Sequence, residues 1–398
     1  MKRLFASFCF ILISLFFNFN FLFAQVKTFK IGFFSLFMAA PFIYAEQTEL
    51  FKKEGVDVKI VPYANLMEMA KDFHNEKLDA AIFPIPMVFS YKLGLLQDIP
   101  SENIKVVLVA GANGGSLVVI DPSIKNPQDL KGKTVVSFSI MCPCYPLLRY
   151  FLIRYGIDPE KDAKHMVFNF DDLINYVLEK NRLDREIKRY KNLLANAKDE
   201  RELKEIKAKY ESLRARYNSL PKISAFLIPE PNTTFIKSLT GGYIMAQTRS
   251  IWKDHPFGGL VVKEKLLRER KEILEKIIGV IGKLCQNIDL PQNREKLVKV
   301  LVNTKYNPPE FTYAILKEAF KAGETDYPVF PYKSSAVAWI DILKTLGMLP
   351  AKVDAFKIAE ETFASEFTRE ALKKAGVPVP PTDYRAEVIM GEIKRYRR

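Results

Sequence analysis

Three sulfur-bearing side chains fall within four residues, Met141-Cys142-Pro143-Cys144, directly ahead of Tyr145 and Pro146. Two thiols beside a thioether suit a soft cation, an iron centre or reversible bonding to a sulfur-containing solute. At a helix start such a thiol gains thiolate character from unpaired N–H groups and the positive end of the dipole. A structural role is equally open, as is an internal disulfide, which a Cys-Pro-Cys spacing would strain. Cys142 and Cys144 are therefore the candidate metal ligands, and no other cofactor is called for. Cys9 lies in an amino-terminal apolar run. Cys285 sits on the apolar face of RKEILEKIIGVIGKLCQNI, where a cysteine packs as a small hydrophobe.

Enzyme templates fail elsewhere. LKGKT resembles the end of a phosphate-binding loop, but the glycine required five residues before Gly132 is Pro127. The chain has no GxGxxG, HExxH or GxSxG. His74, His165 and His255 lack ligand spacing and are read as surface or capping residues. What remains are loops in which a strand runs into a helix start, where open α/β sheets hold ligands. Four such segments are Phe33-Phe34-Ser35, Phe83 to Pro86, Ser137 to Tyr145 and Pro229 to Asn232, with Asn113-Gly114-Gly115 adding backbone donors. The candidate ligand-binding residues are Phe33, Ser35, Pro86, Asn113, Ser139, Cys144, Tyr145 and Glu230. Glu230 fits a cation that neutralises an anion, and equally an amine or a heterocycle.

The elements that must position these residues follow from periodicity. VKTFKIGFF, VDVKIVPY and DAAIFPIP read as strands, separated by the helical MAAPFIYAEQTELFKKEG, with Pro41 in its first turn, and NLMEMAKDFHNEKL. This βαβαβ order implies a mostly parallel sheet covered by helices. IKVVLVAGANGGSLVVI adds strand, broken by a Gly/Asn turn, and the alternation restarts near residue 125, which implies a second lobe. Between residues 175 and 220 apolar residues recur at intervals of three and four, at Leu183, Ile187, Tyr190 and Leu194 and again at Leu203, Ile206, Tyr210, Leu213 and Tyr217. ANAKDE separates the two runs, so an antiparallel helical hairpin is expected, as a solvated excrescence, a coiled coil or a partner surface.

Composition bounds the rest. The 398 residues carry 60 Lys+Arg against 46 Asp+Glu, a net charge of +14, and 48% hydrophobic residues. That is too apolar for a disordered chain and long enough for two lobes. The charge is uneven: Glu179 to Tyr217 holds 13 basic and 8 acidic residues, Lys2 and Arg3 add +2 and Lys394, Arg395, Arg397 and Arg398 add +4, which leaves only +3 for the lobes. No basic patch with stacking aromatics stands outside the hairpin, and a nucleic-acid role is not expected. Lys2 and Arg3, the apolar run from Leu4 and Leu22-Phe23-Ala24 read as a signal peptide, or as an uncleaved membrane anchor.

IGFFSLFMAAPFIYAEQTELFKKEGVDVKIVPY and KLDAAIFPIPMVFSYKLG resemble the first lobe of the substrate-binding proteins of nitrate, bicarbonate, sulfonate and thiamine-pyrimidine ABC importers. DLKGKTVVSF, PLLRYFLIRYGIDPEKD, AFLIPEPNTTFI and GGYIMAQTRSIWKDHP are similar to the nitrate/bicarbonate branch in order and spacing. The resemblance implies a two-lobed α/β fold of the periplasmic-binding-protein type II. It implies a periplasmic or extracytoplasmic receptor that captures a small anionic or polar solute between its lobes and delivers it to an ABC permease in the inner membrane. The expected layout is a signal at 1–24, first lobe at 25–118, second lobe at 119–232 with the hairpin at 175–220, and a crossover with return to the first lobe at 233–398. Where the branch typically has a His-Asn pair, this chain has Cys144 and Tyr145. Where it tends to have a Lys after His255-Pro256, this chain has Phe257-Gly258-Gly259, and its usual Trp after Glu-Pro is Asn232. The sulfur cluster also invites comparison with the iron- or thiol-dependent enzyme of thiamine-pyrimidine synthesis in the same superfamily, the alternative reading.

Overall fold

A computed structural model describes residues 28–321 and 323–396, so the expected signal peptide and Cys9 lie outside the described residues. The first three apolar runs become β1 (Phe29–Phe33), β2 (Val58–Pro62) and β3 (Ala80–Pro84), with β1 pairing both others in parallel. Helices α1 (Leu36–Gln47) and α2 (Leu66–His74) connect them, and α3 (Ile85–Lys92) leads on to β4 (Ile104–Asn113). Asn65 sets the start of α2 by accepting the N–H groups of Met67 and Glu68 on its side chain. Helix α1 buries nearly its whole circumference, so it is a core helix with no polar face. It begins at Leu36, which puts Pro41 inside it and beyond the first turn the spacing suggested.

The apolar run from Ile104 to Ile120 does not fold back through a turn. Asn113 and Gly114 both take left-handed backbone, at φ of 60° and 73°, and carry the chain from one sheet into another. Beyond them β5 (Gly115–Val119) lies antiparallel between β8 (Ala225–Pro229) and β9 (Tyr243–Gln247). The second sheet is completed by β6 (Thr134–Ser137) and β7 (Lys164–Val167), in the order β7-β6-β8-β5-β9. Its helices are α4 (Cys144–Arg154), α5 (Phe170–Ala195), α6 (Glu200–Ser219) and α7 (Asn232–Thr240).

After a two-residue β10 (Trp252–Lys253), β11 (Pro256–Lys263) returns to the first sheet and inserts antiparallel between β3 and β4. With the short β12 (Thr325–Asp326) at its edge that sheet reads β12-β4-β11-β3-β1-β2. The chain end adds β13 (Ala386–Ile389) and β14 (Glu392–Arg395), which pair on β10 across the second crossing. The fold is therefore the two-lobed α/β arrangement expected, two sheets joined by two crossovers.

The expected hairpin forms, with its turn at residues 196–199, and α5 starts earlier than the heptads because its first turns belong to the second lobe. Leu173, Ile174, Tyr176 and Val177 are buried there, whereas beyond them only Leu183 on α5 and Leu213 on α6 are. Arg182 with Glu179 and Glu186, and Arg216 with Glu179, tie its base.

Candidate functional site

Between the carboxyl ends of the strands of the two sheets lies a cavity of about 380 Å³. That is the size of a small-solute pocket, at the place where α/β sheets hold ligands. The first lobe lines it with Phe33, Phe34 and Ser35 after β1, and with Pro62, Tyr63 and Asn65 after β2. The second lobe supplies Phe138 after β6, Asn169 to Asp171 after β7, and Pro229 to Asn232 after β8. Tyr306, Pro308 and Phe311, from the segment that follows the return to the first lobe, close one side. Wider grooves exist, such as one of about 540 Å³ between α1 and the helix Lys271–Ile288, but they lie on the outside of the first lobe.

The walls are aromatic because their polar atoms are engaged elsewhere. The Tyr306 hydroxyl bonds Glu46 at 2.9 Å and the Ile60 carbonyl at 3.1 Å, and the Tyr63 hydroxyl bonds Asp72 at 2.9 Å, which leaves ring surface for the cavity. Phe33 meets Tyr306 edge to face at 5.6 Å, and Phe311 meets Phe170 in the same way at 5.8 Å. Ser35 is the N-cap of α1 in extended conformation and makes no side-chain cap bond.

The polar floor is Glu230 and Asn232. Glu230 is 4% exposed, and one carboxyl oxygen accepts the Thr234 amide of α7 at 3.1 Å. Burial, and then the nearby carboxylates Glu324 and Glu318, raise its pKa to about 8 against the pull of Thr234. At neutral pH the empty site thus holds a carboxylic acid. Asn232 is 6% exposed and donates its amide to the Pro229 carbonyl at 3.3 Å, while its side-chain oxygen has no partner. That donation also fixes the amide orientation, since the reverse would face oxygen against oxygen. Among the described residues, neither Lys nor Arg lines the cavity.

Of the residues singled out from sequence, Phe33, Ser35 and Glu230 stand on this cavity. The others do not line it. Pro86 is buried in the first turn of α3. Asn113 clasps the crossover, donating to Asp326 at 2.7 Å and accepting the Asp254 amide at 3.0 Å. Ser139 accepts the Met141 amide at 3.1 Å within its own loop. Tyr145 stacks on His165 at 4.5 Å, and its hydroxyl accepts from Arg149.

Cys142 and Cys144 are buried free thiols. Cys144 does begin α4, but it is fully enclosed beside Gly115 and Thr248, where an added Cβ on Gly115 would come within 3.2 Å of its sulfur. Burial, then the neighbouring Cys142, push the Cys144 thiol up, so desolvation outweighs the helix terminus and the expected thiolate character is absent. No group of three or more His, Cys, Asp or Glu that could hold a metal occurs among the described residues. The histidines also correct the surface reading. His255 is wholly enclosed, its Nδ1 bonded to the Trp252 carbonyl, and half-buried His165 bonds Ser137 at 2.8 Å. Cys285 is buried on its helix as expected.

Sequence reasoning missed Tyr63, Asn65 and Asn169 to Asp171, though the rule that selected Phe33 applies to them, since each group follows a strand's carboxyl end. Phe138 and Asn232 fell inside chosen segments but were not singled out. Tyr306 to Phe311 follow a helix, and nothing local marks them.

The model of the NMT1-like family matches residues 24–181 and 215–302. The unmatched residues between those stretches are the distal part of the hairpin. A nitrate/nitrite binding protein NrtA of Synechocystis is 20% identical over 89% of this chain and 78% of its own length. A nitrate import ATP-binding protein NrtC of the same organism is 21% identical over 69% of this chain, which spans only 37% of that longer protein. The crystal structure of the periplasmic nitrate-binding protein NrtA from Synechocystis superposes with a TM-score of 0.71 at 18% identity, covering 92% of this chain and 94% of that one. That likeness shows the periplasmic-binding-protein fold.

Proposed function

The chain belongs to the NMT1-like family, and from that membership we propose that it is the solute-binding component of an ABC importer. It takes a small molecule into the cavity between its lobes, closes on it, and passes it to a permease in the inner membrane. The observation that carries this is the cleft of about 380 Å³ at the strand ends of two sheets joined by two crossovers. Two lobes on two strands can pivot, and a solute touching both stabilises the closed population by its differential affinity.

Export is part of the same reading: the amino-terminal 24 residues act as the signal peptide and the lobes work in the periplasm. The solute contacts are Phe33, Ser35 and Glu230, joined by Asn232, Phe138, Tyr306 and Phe311. The hairpin stands apart from the cleft as a surface for a protein partner. The thiol-dependent enzyme is the weaker reading, because Cys144 is enclosed and its thiol held protonated.

Small-angle scattering of the purified protein against a panel of nitrate, bicarbonate, taurine, alkanesulfonates, thiosulfate and amino-heterocycles tests the reading. The expected result is that one class lowers the radius of gyration saturably. Enzymatic turnover of any of them, or binding with no contribution from the cleft residues, would overturn it.

A further inference from the structure

Resting on the receptor reading above, we propose that the cleft selects a flat nitrogen cation of the amidine type, its N–H groups received by Glu230 and Asn232 and its plane held among the aromatic walls. Three observations carry this. First, the buried polar groups beside the cavity are an amide oxygen, which only accepts, and a carboxyl, which accepts once ionised. The Asn232 side-chain oxygen is enclosed and unpartnered, and beside it lies the Glu230 carboxyl, held by Thr234 of α7. An unpaired buried acceptor destabilises the empty site, and a donor on the solute removes that cost.

Second, the charge is of one sign. Neither Lys nor Arg lines the cavity among the described residues, whereas Asp171 does, and Glu318 and Glu324 act on Glu230 from the return segment. Lys305 stacks on the Tyr306 ring at 5.3 Å and does not line the space. The amino end of α7, which elsewhere would receive an anion, is occupied by the protein's own Glu230. Third, the walls are ring faces and edges from Phe33, Tyr63, Phe138, Tyr306 and Phe311. They suit a planar cation, which gains both stacking area and attraction to the ring quadrupoles.

An oxyanion would meet an unpaired amide oxygen and, among the described residues, no basic side chain, and could bond Glu230 only as the acid. The two assignments also differ in the sign of their pH dependence. A cation binds the ionised form of Glu230, so its affinity rises with pH until the group is ionised in the empty site. An anion needs the protonated form as a donor, and its affinity falls over the same interval.

Isothermal titration of the purified chain with benzamidine, nitrate and ethanesulfonate between pH 6 and 9 decides. Benzamidine is expected to bind, with affinity rising roughly tenfold per pH unit below pH 8 and levelling above it, and with about one proton released at pH 7. Glu230→Gln should weaken it at least tenfold and flatten the profile, and Asn232→Leu should weaken it with the profile kept, each variant shown folded by its melting curve. Nitrate or ethanesulfonate binding and compacting the protein while benzamidine does not overturns the cation and leaves the receptor reading standing. A co-purified solute without an N–H-bearing cation does the same. Failure of all three probes with no solute released on denaturation overturns both.

Discussion

Replacing Glu230 by glutamine should make the empty protein more stable, by an amount that grows with pH. The carboxyl is 4% exposed and its pKa stands at about 8, against an ordinary 4.5. Between those values the unfolded chain has given up a proton that the folded chain keeps. Fewer protons bound in the unfolded state mean that stability falls as pH rises, beginning near pH 4.5 and ending near pH 8. At about 1.4 kcal/mol per unit the accumulated loss at pH 8 is about 4 kcal/mol. Glutamine keeps an oxygen for the Thr234 amide, has nearly the same volume and carries no charge to desolvate. Thermal unfolding followed by circular dichroism at pH 5, 6.5 and 8 is the assay. Wild type and variant should melt together at pH 5, and the variant should melt higher at pH 8 by roughly 5–10 °C. A variant less stable than wild type at pH 8, or a difference that does not grow with pH, would refute the burial argument. A binding residue that costs stability in the empty protein is the usual trade at a functional site.

Gly114→Ala should destabilise by roughly 2–4 kcal/mol in urea titration. Its φ is 73° and a Cβ would lie 2.3 Å from the Phe37 ring. Gly132→Ala is the control, since its φ is 76° but no atom lies within 4 Å of the added carbon, and it should cost only about 1 kcal/mol. Replacing residues 184–214 by a short Asn-Gly linker should leave solute affinity within twofold by titration calorimetry. Those residues lie beyond the turns of α5 buried in the second lobe, and a larger loss would place the hairpin in the site. Among the described residues the cysteines are Cys142, Cys144 and Cys285, all buried. They should react with a thiol-specific chromogenic reagent at pH 8 at least a hundredfold more slowly in the native than in the unfolded protein, and one fast native thiol would contradict this.

Periodicity and the strand-end rule reached far into this fold because both are local. The βαβαβ runs, the hairpin seam and its turn are written in contiguous residues, and Phe33, Ser35 and Glu230 lie at or just past a strand's carboxyl end. Tyr63, Asn65 and Asn169 to Asp171 lay within reach of the same rule, and the rest of what escaped is non-local. Tyr306 and Phe311 come to the cavity only because the chain returns to the first lobe at β11, some 50 residues earlier in sequence. Asn113 reads as a ligand donor, yet its left-handed backbone and its bonds to Asp254 and Asp326 make it part of the crossover. Cys144 reads as a reactive thiol because a helix start lowers thiol pKa, but whether water reaches that start depends on Gly115 and Thr248 from another strand and helix. Desolvation, set by the tertiary fold, decided against the local signal.

The central claim is that a solute is held between the lobes on Glu230. The most direct measurement is a crystal structure of the protein with a solute that titration calorimetry shows to bind. The account predicts density in the space bounded by Phe33, Tyr306, Phe311 and Asn232, with a solute atom within hydrogen-bond distance of Glu230 and both lobes in contact with it. Density in one of the outer grooves, such as that beside Tyr44 and Lys283, with the cleft unchanged would contradict it.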